Sequence, residues 1–68
     1  MDPIRLEYEI KKKGISLKEL AETLGISKVA LYRKINGKSD FKLCEMQKIA
    51  EIVGLETAIP IFFAKEVS

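Results

Sequence analysis

Sixty-eight residues, 47% of them hydrophobic and 32% charged, set the scale of one small folded domain and leave no room for a second. With no histidine and Cys44 as the single cysteine, neither a metal-ligand cluster nor an internal disulfide can be assembled, and no cofactor is expected. The net charge of +2 is small but uneven: residues 1–27 are balanced, residues 28–42 carry +4 and residues 43–68 carry −2. One basic segment in an otherwise neutral-to-acidic chain suggests a face made for a polyanion. No run approaches the ~20 apolar residues of a membrane span. The charged first residues do not read as a secretory signal, and a lone thiol fits the reducing cytoplasm.

In chain order, Asp2-Pro3 opens a first helix, with Asp2 as N-cap and Pro3 at the first position, where no donor is lost. It covers about residues 3–13. Leu6 and Ile10 should face the core, and Ile4 and Tyr8 make a second pair on another side. Lys11, Lys12 and Lys13 load the last turn, favoured by the helix dipole, and Gly14 ends it. Ser16 with Glu19 three residues on forms a capping box for a second helix, about 17–24, with Leu17, Leu20, Ala21 and Leu24 as its apolar face and Gly25 as its stop.

Only Ile26 stands between Gly25 and Ser27, the N-cap of a third helix over about 28–35 that should bury Ala30, Leu31 and Ile35. Asn36-Gly37 closes it, both residues suiting a left-handed backbone. Two short helices joined this tightly cannot lie antiparallel and must cross steeply, which is helix-turn-helix geometry. Residues 38–42 form a loop anchored by Phe41. A fourth helix follows over about 42–53, its stripe being Leu43, Met46, Ile49, Ala50 and Val53, with Gly54 beyond it. Cys44 falls off that stripe, near the helix start; a redox role there is a minor reading. Because Pro60 breaks a long helix, the apolar run from Leu55 predicts only a short helix over about 57–62, then a frayed tail.

The segment that carries function is Ser16 to Gly37, SLKELAETLGISKVALYRKING. With 3.6 residues per turn, Lys28, Val29, Tyr32 and Arg33 project to one outer side of the third helix. Cation, aliphatic group, phenol and guanidinium on one stripe suit a major groove. Arg33 or Lys28 can reach guanine O6 and N7, Val29 a thymine methyl, and Tyr32 a phosphate or base edge. Lys34, Lys38 and Lys42, with Ser16, Lys18 and Ser27 at the helix starts, are the candidate phosphate contacts.

At these residues the chain resembles the helix-turn-helix regulators of the phage repressor and Cro class. It looks most like small Gram-positive phage or mobile-element regulators whose recognition helix ends in an aromatic-Arg-Lys-Ile-Asn-Gly run, here YRKING at 32–37. The resemblance extends to about residue 55; its ELAETLGIS segment, 19–27, is the widely shared part and YRKINGK the narrower one. It implies a compact all-α, lambda-repressor-like domain of four to five helices that binds double-stranded operator DNA, commonly as a two-fold dimer, with the third helix in the major groove. Two departures stand out. Leu17 occupies a position where many relatives carry a polar phosphate-gripping residue, often Gln, and Pro60 interrupts the usual fifth helix.

Ile59, Ile61, Phe62 and Phe63 either close the core over the first helix or, being more apolar groups than so short a segment easily buries alone, form a homodimer surface alongside Ile4 and Tyr8; the dimer surface is the preferred reading. An enzyme is disfavoured: there is no Gly-rich phosphate loop, no nucleophile beside a base, and the carboxylates mostly alternate with lysines. No small-molecule ligand is expected. The alternative function is a protein-docking module of helix-turn-helix shape, such as an antirepressor; it should tolerate loss of charge at residues 28–33 but not loss of apolar groups.

Overall fold

The computed structural model describes residues 1–63, so the expected frayed tail falls, from residue 64 on, outside the described residues. Five helices follow one another: α1 Pro3–Lys12, α2 Leu17–Leu24, α3 Lys28–Ile35, α4 Leu43–Val53 and α5 Leu55–Phe62. No strand occurs among the described residues, and the chain has the all-α helix-turn-helix fold.

Local chemistry sets the helix boundaries. Asp2 Oδ1 accepts the Arg5 N–H at 3.1 Å, with Pro3 at the first position of α1. At α2 both halves of the capping box form: Ser16 Oγ accepts the Glu19 N–H at 3.1 Å, and Glu19 Oε1 accepts the Ser16 N–H at 3.3 Å. Ser27 Oγ accepts the Ala30 N–H at 3.1 Å and so starts α3. Of the Asn36-Gly37 pair that ends α3, only Gly37 is left-handed, at φ 78°, while Asn36 stays at φ −81°. Lys38 then donates its N–H to the Arg33 carbonyl at 2.9 Å, a Schellman closure that satisfies a carbonyl the helix leaves orphaned.

The core joins all five helices. Leu6 and Ile10 of α1, Leu20, Ala21 and Leu24 of α2, Leu31 and Ile35 of α3, Ile49 and Val53 of α4, and Ala58 and Ile61 of α5 are all buried, together with Phe41 from the α3–α4 loop. α1 lies against α2, α4 and α5. A backbone hydrogen bond from the Asp2 N–H to the Ile61 carbonyl, 2.8 Å, ties its start to α5. Ile4 and Tyr8 face outward, with the Lys12 ammonium 6.0 Å from the Tyr8 ring centroid.

The structure corrects the sequence reading at several points. Leu43 is exposed, not core: the inward row of α4 is Glu45, Ile49 and Val53, spaced four apart, which turns the first residue of the helix outward. Lys42 is the N-cap of α4 and not its first residue, and Ala30 is half-buried. α5 starts two residues earlier than expected, directly after Gly54, and runs through Pro60. The proline removes one donor, the one that would reach the Glu56 carbonyl. Burial of Ala58 and Ile61 holds the helix regardless, and Phe62 meets Phe41 edge-on, with ring centroids 5.5 Å apart.

Candidate nucleic-acid interface

α2 and α3 are separated by Gly25, Ile26 and Ser27 alone. Gly25 sits at φ 72°, where other residues are strained, and its N–H and that of Ile26 return to the Glu22 and Ala21 carbonyls at 3.1 and 3.0 Å. Leu20, Ala21 and Leu24 share the core with Leu31 and Ile35, so the two helices form one packed unit. A small residue at Ala21, 3% exposed, suits the close approach of the pair.

This packing fixes what α3 shows to solvent. Lys28, Val29, Tyr32 and Arg33 are all exposed on its outer side, as their spacing predicts. Val29 is 62% exposed, so no core role explains it. The Lys28 ammonium lies 5.9 Å from the Tyr32 ring centroid, a cation–π contact that holds the two side chains together. Among the described residues Lys28, Arg33, Lys38 and Lys42 enter no ion pair, so their charge is available to an outside anion. Lys18 is exposed near the start of α2, and the hydroxyls of Ser16 and Ser27 are engaged as helix caps.

Lys34 departs from the sequence reading, which gave it to a phosphate. Three residues from Leu31, it turns toward the body of the protein, where its ammonium pairs with Glu45 and lies 6.0 Å from the Phe41 ring centroid. Glu45 Oε1 also accepts the Lys42 N–H at 2.8 Å. That bond is the reverse half of a capping box, since a lysine side chain has no acceptor with which to supply the other half. Burial alone would raise the Glu45 pKa; the Lys34 hydrogen bond, the Lys42 N–H and the two lysine charges outweigh it and hold the carboxyl below its ordinary value. In the sequence Glu45 stands only as one of the acidic charges of residues 43–68. The signal was present in its position three residues after Lys42, at the start of an apolar run.

A helix-turn-helix family model matches residues 6–59, reaching from α1 into α5. The chain belongs to that family. Comparison with curated proteins and with solved structures gives no match. Membership of this family makes the helix-turn-helix protein a DNA-binding transcription regulator of the repressor and Cro type, with α2 and α3 as its motif. No helix among the described residues is long and apolar enough to cross a membrane.

The helix-turn-helix protein has a second distinctive surface, on α4 and α5. Leu43, Leu55, Ile59 and Phe63 are exposed there, and they line a shallow apolar groove of about 140 Å³ with Met46, Ala50 and the half-buried Phe62. Ile61, grouped with this surface in the sequence reading, is withdrawn from it: the residue is fully buried in the chain's own core and unavailable to a partner.

Proposed function

We propose that this protein is a sequence-specific, Cro-like transcriptional repressor that binds double-stranded DNA in the cytoplasm as a homodimer on a pseudo-palindromic operator. The observation that carries the reading is the outer face of α3, where Lys28, Val29, Tyr32 and Arg33 stand exposed on a helix locked to α2 across a three-residue turn. Arg33 and Lys28 serve guanine edges, Val29 a thymine methyl, and Tyr32 a base edge or phosphate. Lys18, Lys38 and Lys42, with backbone N–H groups at the starts of α2 and α3 beside Ser16 and Ser27, grip phosphates and fix the register. Binding by counterion release makes affinity fall steeply with salt. The chain works without enzymatic activity or a small-molecule ligand, so protein concentration and competition at overlapping sites control it.

The dimer surface is Ile59, Phe62 and Phe63, extended by Leu43 and Leu55, which share the same apolar groove. A second copy is the occupant proposed, because a two-fold pair of recognition helices matches a two-fold site. Selection from random duplex DNA, repeated with Arg33→Ala, tests the whole reading. A two-fold site that the variant blurs in both halves is the expected result. Enrichment of nothing, with weak and purely salt-controlled binding, would overturn it in favour of a protein-docking module.

A further inference from the structure

Glu45 is the only charged side chain in the core among the described residues, and helix capping does not account for its burial. One oxygen, Oε1, takes two donors from different parts of the fold: the Lys34 ammonium from the last turn of α3, and the Lys42 N–H at the start of α4. Lys34 is in turn flanked by the Phe41 ring, which packs edge-on against Phe62 of α5. Beyond its packing on α2, α3 has no other broad helix contact. It is eight residues long, α2 is the one helix that lies broadly along it, and its fully enclosed contacts are Leu31 and Ile35. Packing locks α3 to α2, and the Lys34–Glu45 pair ties the end of α3 to α4, so that pair bears on how the α2–α3 unit is set against the rest of the fold. A charge-assisted hydrogen bond suits this task because its geometry is specific.

We propose that Glu45 is a positioning residue for sequence recognition: by holding Lys34 against the start of α4, it sets the angle at which Lys28, Val29, Tyr32 and Arg33 are presented to DNA. Lys34 thereby spends its charge inside the protein and does not bind phosphate. The proposal rests on α3 being the recognition helix. A tilt of the α2–α3 unit moves the side chains at the N-terminal end of α3 relative to base edges, while Lys18, Lys38 and Lys42 still reach a phosphate backbone that offers an anion at every step. Loss of the tether therefore removes discrimination and leaves general affinity in place.

The deciding variant is Lys34→Met with Glu45→Gln. It leaves no unpaired charge, conserves net charge, and keeps an amide oxygen to accept the Lys42 N–H. Fold is checked by circular dichroism and thermal melting; affinity is measured for the site that wild type selects and for random duplex DNA across a salt series. Folded double variant should keep the random-duplex affinity and salt slope of wild type and lose about tenfold or more of its preference for the selected site, the scale of one mismatched base pair. Lys34→Arg, which preserves the pair, should retain the preference. Unchanged preference in the folded double variant overturns the proposal. So does a salt slope lowered by about one, which would make Lys34 a phosphate ligand. Should the double variant not fold, Glu45→Asp decides: it keeps the charge but shortens the tether by one methylene, and full preference in the folded protein overturns the idea. A wild type without any sequence preference refutes the recognition-helix reading itself, a result distinct from these.

Discussion

Ile61 and Phe63 are two residues apart on one apolar segment, yet one is buried and the other exposed, and truncating each to alanine separates a core role from the proposed dimer role. Ile61 is fully buried. Removing its three outer carbons forfeits about 0.8 kcal/mol each in transfer, and the cavity left behind brings the total to about 2–5 kcal/mol. A domain of this length has roughly 3–10 kcal/mol of stability in all, so Ile61→Ala should lower the melting temperature by roughly 10–30 °C or abolish folding. Phe63 is 73% exposed, and its truncation should cost the monomer less than about 0.5 kcal/mol. In a dimer built on this face, it should weaken association by about 1–2 kcal/mol, roughly five- to thirtyfold in dissociation constant. Urea unfolding followed by circular dichroism at two well-separated protein concentrations, with sedimentation equilibrium alongside, reads both effects. Loss of less than about 1 kcal/mol in Ile61→Ala would refute the assignment of that residue to the core. Equal destabilisation by the two variants at the lower concentration would refute the division of labour. Failure of Phe63→Ala to alter association would remove that residue from the dimer surface.

Further consequences follow from single residues. The Glu45 carboxyl is held below its ordinary pKa in the folded protein, so its contribution to stability is fully present above the unfolded carboxylate pKa and is lost as pH falls through the lowered one; Glu45→Gln should flatten that acid limb in a pH series of melting curves. Arg33→Ala should cost about 1–3 kcal/mol on the selected site and relax preference at one position. Lys38→Ala should weaken all duplexes alike and lower the salt slope by about one, and a sequence-dependent loss would contradict its phosphate role. Gly25→Ala meets no atom within 4 Å of the added carbon, so its cost is the left-handed φ alone; about 1 kcal/mol by chemical denaturation is expected, and a much larger loss would expose a clash.

The helix-turn-helix core was legible because its signals are local. Ser16 with Glu19, Ser27, and the glycines at 25 and 37 specify starts and stops through bonds three to five residues long, and the outer stripe of α3 follows from helical period. What escaped depends on partners distant in sequence. Lys34 and Arg33 are adjacent cations, one paired and one exposed, and only the placement of Glu45, eleven residues on from Lys34, decides which one keeps a free charge. Leu43 fits a helical apolar period as well as Ile49 does; the rotation of α4 against α1 and α2 puts it in water. Pro60 carries a local penalty that can be read from sequence, whereas the packing of its neighbours against Phe41 and the α1 core, which offsets it, cannot.

The bond between the Asp2 N–H and the Ile61 carbonyl has a consequence for the order of assembly. Along the chain α5 follows the other four helices, so α1 gains one of its three neighbours only when α5 packs. Leu6 and Ile10 stay partly in water until then, and the α2–α3 pair, though local enough to form early, has no complete platform to rest on. Folding should therefore be one cooperative step that includes α5. A chain cut before α5 should lose its DNA affinity, although the residues proposed to read bases all lie on α3.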